Sequence, residues 1–162
     1  MKIEKVRAED LGTVLEIYAY AREQMRKNGN PSQWGTSRPP VGRTVRDIEE
    51  GKLYGEVEDG RITGVFFFSV GNDPTYDEID GEWIDGGEYG VIHRIAGAEG
   101  SRGVLKTALD FCEKRARSIR IDTHENNMIM RHLLTKYGYT ECGVIITDDG
   151  TPRIAFQKVT ES

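Results

Sequence analysis

The sequence predicts an α/β chain of the α+β kind, with a mixed, mostly antiparallel central sheet flanked by helices. Three observations carry that prediction. Ile119 to Gly143 joins an alternating strand, a polar helix start and a glycine helix stop without spare residues. Leu53 to Val57 and Ile62 to Val70 form a β-rich pair around the hairpin dipeptide Asp59-Gly60. A second such dipeptide, Asp149-Gly150, turns a hairpin near the end of the chain.

Taken in order, Lys2 to Arg7 reads as a short strand, and Leu11, Val14, Leu15, Tyr18 and Met25 recur at helical spacing until Gly29. Asn28 to Pro40 is broken by Gly29, Gly35 and prolines 31, 39 and 40, so it is a loop, and Thr44 to Glu50 is a short helix. The second strand of the hairpin carries Val65-Phe-Phe-Phe68, an apolar run fit for a buried position. Asp73 to Glu88 is acidic around Tyr76 and Trp83, either a solvated loop or an acceptor pocket. Val91 to Ala96 is a strand, a loop follows at Gly97, Gly100 and Gly103, and a helix runs from about Arg102 to Arg117. Ile119 to Asp122, Asn127 to Tyr137, Tyr139 to Thr147 and Arg153 to Val159 close the series as strand, helix, strand and strand. The predicted order is β-α-α-β-β-β-α-β-α-β-β, in one domain spanning residues 1–162.

Composition narrows the function classes. An apolar content of 37% supports an ordinary core without a disulfide or metal scaffold. No run approaches the roughly 20 apolar residues of a membrane span, and Met1-Lys-Ile-Glu4 does not resemble a signal peptide, so a cytoplasmic location away from membranes is expected. With net charge −5 and no basic, aromatic-studded segment, nucleic acid is a poor partner. Cys112 and Cys142 read as free core thiols, Cys112 in line with Leu105, Ala108 and Leu109. A metal or redox site built from His93, His124, Cys112 and Cys142 lacks paired ligand spacing, so no metal is expected.

Two segments suggest a ligand. Ile95-Ala-Gly-Ala-Glu-Gly-Ser-Arg-Gly-Val-Leu105 is a strand end, a glycine loop and a helix start, where backbone N–H groups can approach oxygen closely and the helix supplies about half a positive charge. Asp122-Thr-His-Glu-Asn-Asn127 ends the next strand and opens a helix that stops at Gly138-Tyr139. In this order and with Met130 and Lys136 between them, these segments resemble the GCN5-related N-acetyltransferases, the GNAT family, whose members move an acetyl group from acetyl-CoA to an amine. The resemblance spans nearly the whole chain. It implies the acyl-CoA N-acyltransferase fold, with acetyl-CoA as acyl-donor substrate.

By that resemblance Ile95, Ala96 and Gly97 pair with the pantetheine arm, and Gly100, Ser101, Arg102, Gly103 and Val104 hold the pyrophosphate. Asn127 bonds the cofactor's amide chain. The chain departs from the family pattern in two places. Positions 100 to 105 keep only the central Gly103 of the usual loop, with Leu105 expected to add bulk beside the phosphates. Leu134 stands where many members carry the Tyr that protonates the departing thiolate. Tyr137, Tyr139, Cys142 and His124 are the nearby substitutes.

The obstacle to acetyl transfer is the acceptor: with a pKa near 10.4, only about one amine in a thousand is neutral at pH 7, so a base must take its proton. His93 is the first candidate, a titratable side chain inside an otherwise apolar strand, with a satisfied core histidine as the other reading. Glu82 and Glu88, in the acidic segment that enters the same strand, are alternatives, as is solvated surface for both. Arg94, next in the strand, should point to the opposite face or pair with a carboxylate. Trp34, Arg38, Tyr76, Trp83 and His124 are the substrate-binding candidates, because loops on a fixed scaffold shape pockets. The expected partner is a small-molecule or peptide amine, with a homodimer left open. A non-catalytic acyl-CoA sensor is the rival reading, motivated by Leu134.

Overall fold

The structure, a computed structural model, describes residues 1–160 of the chain. Strand β1 (Lys2–Lys5) leads through a single 3₁₀ turn into helix α1 (Leu11–Lys27), whose Val14, Ile17 and Tyr18 are buried at the predicted helical spacing. The loop after α1 ends at Pro40, whose fixed φ of −67° sets up the first turn of α2 (Val41–Glu49). That helix therefore starts three residues ahead of the predicted Thr44.

Strands β2 (Leu53–Glu58) and β3 (Arg61–Val70) form the predicted hairpin, with Asp59 and Gly60 both at positive φ in the turn. The acidic segment is more ordered than predicted. Asp73 caps a 3₁₀ turn over Pro74–Tyr76, and β4 (Asp80–Gly81) adds a short strand that sequence pattern did not reveal. Then come β5 (Gly90–Gly97), α3 (Val104–Glu113), β6 (Ser118–Thr123), α4 (Met128–Lys136), β7 (Thr140–Ile146) and β8 (Pro152–Val159).

The strands make one sheet in the order β1-β2-β3-β5-β6-β8-β7-β4. All neighbours are antiparallel except β5 and β6. One apolar cluster packs α3 and α4 on the sheet through Phe66, Phe68, Ile92, Leu105, Leu109 and Leu134, and another joins α1 to Leu53, Val65 and Ala96. Leu105 is buried in the first cluster, so its bulk points into the core and not, as predicted, toward the glycine loop. Cys112 is a buried free thiol, whereas Cys142 lies on β7 and is only partly covered, not the core thiol predicted. No helix among the described residues is long and apolar enough to cross a membrane.

Two features of β5 position the site. First, it pairs with β6 only over Gly90–Ile92, opposite Ile119–Ile121, and the strands then part. The backbone from His93 to Gly97 keeps β3 on one side and faces an opening on the other. Second, His93 opposes Phe67 and Ala96 opposes Val65, so Arg94 and Ile95 together face Phe66 alone. This one-residue bulge puts Arg94 at φ 51°, a left-handed conformation rare outside glycine.

Candidate active site

The bulge undoes the simple alternation of side chains along β5. Arg94 does not point to the face opposite His93: its guanidinium lies 4.5 Å over the Phe67 ring, and the His93 ring packs on the same Phe67 at 5.6 Å. Both side chains line one cavity. The predicted carboxylate partner of Arg94 is Asp47 of α2, bonded from Nε at 2.7 Å and from the second guanidinium arm at 3.2 Å. Burial pushes the Asp47 carboxyl upward, against the pull of Arg94. This pair holds the strained bulge in place.

His93 sits between two carboxylates. Its Nε2 is 2.7 Å from Asp73 Oδ2, and its Nδ1 is 3.8 Å from Asp122 Oδ2, beyond direct hydrogen bonding. Burial alone would raise the Asp73 carboxyl, but bonds with His93 and with the Thr75 N–H hold it down at about 2. Asp73 is therefore ionised at neutral pH and can only accept. Nε2 therefore carries the proton of this bond, and in that tautomer of the ring the lone pair is on Nδ1. Asp122 Oδ2 accepts the Tyr76 hydroxyl at 2.6 Å.

These groups belong to a polar cavity of about 410 Å³, lined by Gln33, Trp34, Arg38 and Arg43 from the loop after α1 and the start of α2, Phe67, Asp73, His93 and Arg94 below, and Asp122, Asp148 and Arg153 opposite. Arg38 bonds Asp149 at 2.7 Å, tying that loop to the β7–β8 turn. A second cleft of about 300 Å³ is mostly apolar. It lies between the end of α1 (Tyr20, Met25), the strand end Ile95, Ala96 and Gly97, and the start of α4 (Asn127, Ile129, Leu133). The two hollows meet along β5, where His93 and Arg94 face one and Ile95 to Gly97 face the other.

Beyond Gly97 the chain turns into α3. A Cβ on Gly97 would lie 2.5 Å from Ser101 Oγ, and one on Gly64 would lie 2.8 Å from a Val104 methyl, so glycine lets loop, sheet and helix start approach this closely. The first backbone bond into α3 runs from Thr107 N–H to the Gly103 carbonyl at 3.0 Å, leaving the preceding N–H groups at the helix start without helical acceptors. Ser101 differs from expectation, since its N–H and its hydroxyl both donate to the Ala98 carbonyl, at 3.0 and 2.6 Å. It shapes the loop, and Gly100, Arg102, Gly103 and Val104 make up the rest of it.

Several predicted site residues lie elsewhere. Glu82 and Glu88 are exposed and line neither hollow, Tyr137 packs beside the core under Lys106 and Lys136, and Cys142 donates to the Thr140 carbonyl at 3.3 Å. Burial raises the Cys142 thiol further from reactivity. Tyr76 is buried as a support for Asp122, and Trp83 stacks on Arg120 at 4.1 Å while donating to the Tyr76 carbonyl. His124 turns its Nδ1 to the Asn126 N–H, and burial and Arg153 lower its pKa. Sequence reasoning missed Asp73 and Asp122 as partners of His93: one looked like surface charge and the other like a helix cap. It also missed Gln33, for which no local signal exists.

A parallel strand pair that splays at a bulge, with a glycine loop feeding a helix at one end of the split, defines an acyl-CoA N-acyltransferase fold. No protein-family model matches the sequence, and no curated protein matches it. Among solved structures, a GNAT-family acetyltransferase from Streptococcus agalactiae 2603 is 30% identical with a TM-score of 0.88, over 99% of this chain and 96% of that one. A GNAT-family acetyltransferase from Listeria monocytogenes is 19% identical with a TM-score of 0.71, over 98% and 94% of the two chains. A Salmonella typhimurium protein solved with its cofactor acetyl-CoA is 13% identical with a TM-score of 0.62, over 99% and 94%. The chain belongs to the GNAT family of acetyltransferases.

Proposed function

We propose that this chain is a single-domain, cytoplasmic N-acetyltransferase that moves the acetyl group of acetyl-CoA to a primary amine of a small molecule, amino acid or peptide. The observation that carries the proposal is the Asp73–His93 pair on the floor of the polar cavity, at 2.7 Å, where β5 passes into the apolar cleft. The residues present suit the cofactor. The backbone of Ile95, Ala96 and Gly97 faces the opening between β5 and β6 and can pair with the pantetheine arm, and the loop from Gly100 to Val104 can receive the diphosphate.

Acetyl-CoA supplies a thioester carbon that needs no covalent enzyme intermediate. The chain's task is to position the amine and remove its proton. Asp122 and Asp73 attract the acceptor while it is an ammonium, and Asp73 fixes the His93 tautomer so that Nδ1 is the base. Nδ1 takes the first proton, which turns the ammonium into a neutral amine, and as the N–C bond forms and the C–S bond breaks the second proton passes to water. The thiolate takes its proton from water, because Leu134, fully buried and apolar, supplies none. Arg94, held by Asp47, keeps the Phe67 platform beneath the His93 ring.

The test is thiol release from acetyl-CoA across a panel of primary amines. Acceptor-dependent release is expected. Tight acetyl-CoA binding in calorimetry with no release for any amine would instead select the sensor reading.

A further inference from the structure

Three segments cross from the apolar cleft to the polar cavity: β5, the residues from Asn28 to Trp34, and the residues from Asp122 to Asn127. Where the latter two meet lies one atom, the side-chain oxygen of Gln33. It accepts from Asn30 Nδ2 at 2.8 Å and from Thr123 Oγ1, the His124 N–H and Asn127 Nδ2, each at 3.3 Å.

Two of these donors, the His124 N–H on the backbone and the Asn127 amide, are fixed independently of Gln33. Asn127 caps α4 with its Oδ1 on the Met130 N–H at 3.1 Å, which turns Nδ2 toward the junction. Thr123 is 1% exposed and Asn30 2%, so without an acceptor both would hold buried donors unpaired. Four donors also exceed the two lone pairs of one amide oxygen, so the site has more donor capacity than Gln33 can satisfy. Beside them, the buried Asn30 Oδ1 has no partner. Donors converging on one point with a free acceptor at hand complement an amide, a carbonyl together with an N–H.

We propose that Gln33 is a built-in competitor for the acyl donor: its amide oxygen fills a site that a carbonyl of acyl-CoA takes over on binding, and Gln33 then turns into the acceptor cavity. The proposal rests on the acetyl-CoA reading above and adds a residue that links occupancy of one hollow to the shape of the other. Only the side chain has to move. The Gln33 backbone carbonyl is anchored by Arg153 at 3.0 Å, and neighbouring Trp34 is buried edge-on against Tyr18 at 5.4 Å. Displacement therefore changes the wall of the acceptor cavity without unfolding the loop.

The experiment is calorimetric titration of the wild type, Gln33→Ala and Gln33→Glu with acetyl-CoA and with CoA. Removing the competitor should tighten binding by about three- to tenfold in Gln33→Ala. Placing an ionised carboxylate on the same donors should weaken it by about tenfold in Gln33→Glu. A loop with a merely structural role predicts weaker or equal binding for both variants. Tightening of both ligands assigns the site to a pantetheine amide, and tightening of acetyl-CoA alone assigns it to the thioester carbonyl; either upholds the competition. Equal or weaker binding in a folded Gln33→Ala overturns it. Should Gln33→Ala fail to fold, unchanged affinity in Gln33→Glu overturns it equally. A wild type that binds neither ligand sinks the cofactor reading itself, whereas the other failures leave that reading standing.

Discussion

The apolar cleft and the polar cavity share β5 but are made of different material. The cleft is built from backbone and close packing: a strand with one free side, a glycine turn, a helix start, and mostly apolar side chains from α1 and α4. The cavity is built from side chains on several separate segments, held by charge pairs such as Arg94–Asp47 and Arg38–Asp149 and by the His93–Asp73 hydrogen bond. A ligand read by backbone can be the same for many chains, because main-chain donors do not change with sequence. A ligand read by side chains differs whenever one loop changes. Backbone recognition and side-chain recognition therefore occupy different parts of this molecule, and each can be perturbed without the other.

The largest expected effect breaks the cavity and spares the cleft. His93→Ala removes the proposed base and should lower kcat/KM for any accepted amine by about 10²- to 10⁴-fold, with the acetyl-CoA Kd unchanged. Asp73→Asn keeps the ring but loses the carboxylate that sets its tautomer, so it should fall between wild type and His93→Ala. Steady-state kinetics with calorimetry separate the two quantities. Turnover unchanged in His93→Ala would move the base elsewhere.

The second effect contrasts a partly buried carboxyl of the cavity with a fully buried one under the start of α3. Asp73 is held down at about 2 by its partners, whereas Glu56, packed beside Gly64 and Val104 under the start of α3, is fully buried with both oxygens unpartnered, and burial pushes it up to about 8. Between the ordinary value of 4.5 and about 8, folded Glu56 keeps a proton that the unfolded chain has lost. Stability from this group must then fall as pH rises through that window and level off above it. Denaturant melts at pH 6 and pH 8 should show wild type losing about 2 kcal/mol more than Glu56→Gln across the interval. Equal losses would mean that Glu56 is ionised and stabilised in some other way. Asp73 acts at the other end: its stabilisation is present at neutral pH and is lost only as pH falls from the ordinary carboxyl range through about 2.

The same division explains what could be read from the chain alone. The helices, the two hairpins and the glycine loop rest on local rules of period, capping and turn chemistry, and they stand where the pattern put them to within a few residues. His93 was legible because a titratable side chain among Val91, Ile92 and Ile95 is a local anomaly. Asp73, Asp122 and Gln33 were not, since each has an ordinary local reading and acquires its role 20 to 94 residues away along the chain. The bulge at Arg94 was hidden for a related reason. Nothing in His-Arg-Ile announces a left-handed residue, and only the Asp47 and Phe67 contacts explain why it is tolerated. Strand β4, two residues long, has too little pattern to detect.

The smallest effect falls on the residue that serves both regions. Asn127 caps α4 through Oδ1 and presents Nδ2 to the junction, so one side chain carries the cap and the proposed binding role on different atoms. Asn127→Ala loses both. It should cost about 1 kcal/mol of stability from the missing cap, and acetyl-CoA affinity should weaken by about tenfold. Asn127→Asp separates them, because a carboxylate still caps the helix and complements its dipole but cannot donate. Its melting point should stay near that of wild type while acetyl-CoA affinity falls at least as far as in the Ala variant, since the new charge also repels a carbonyl oxygen. Were the Asp variant to bind acetyl-CoA like wild type, the amide would be a cap only, and the cleft would recognise its ligand through backbone and packing alone.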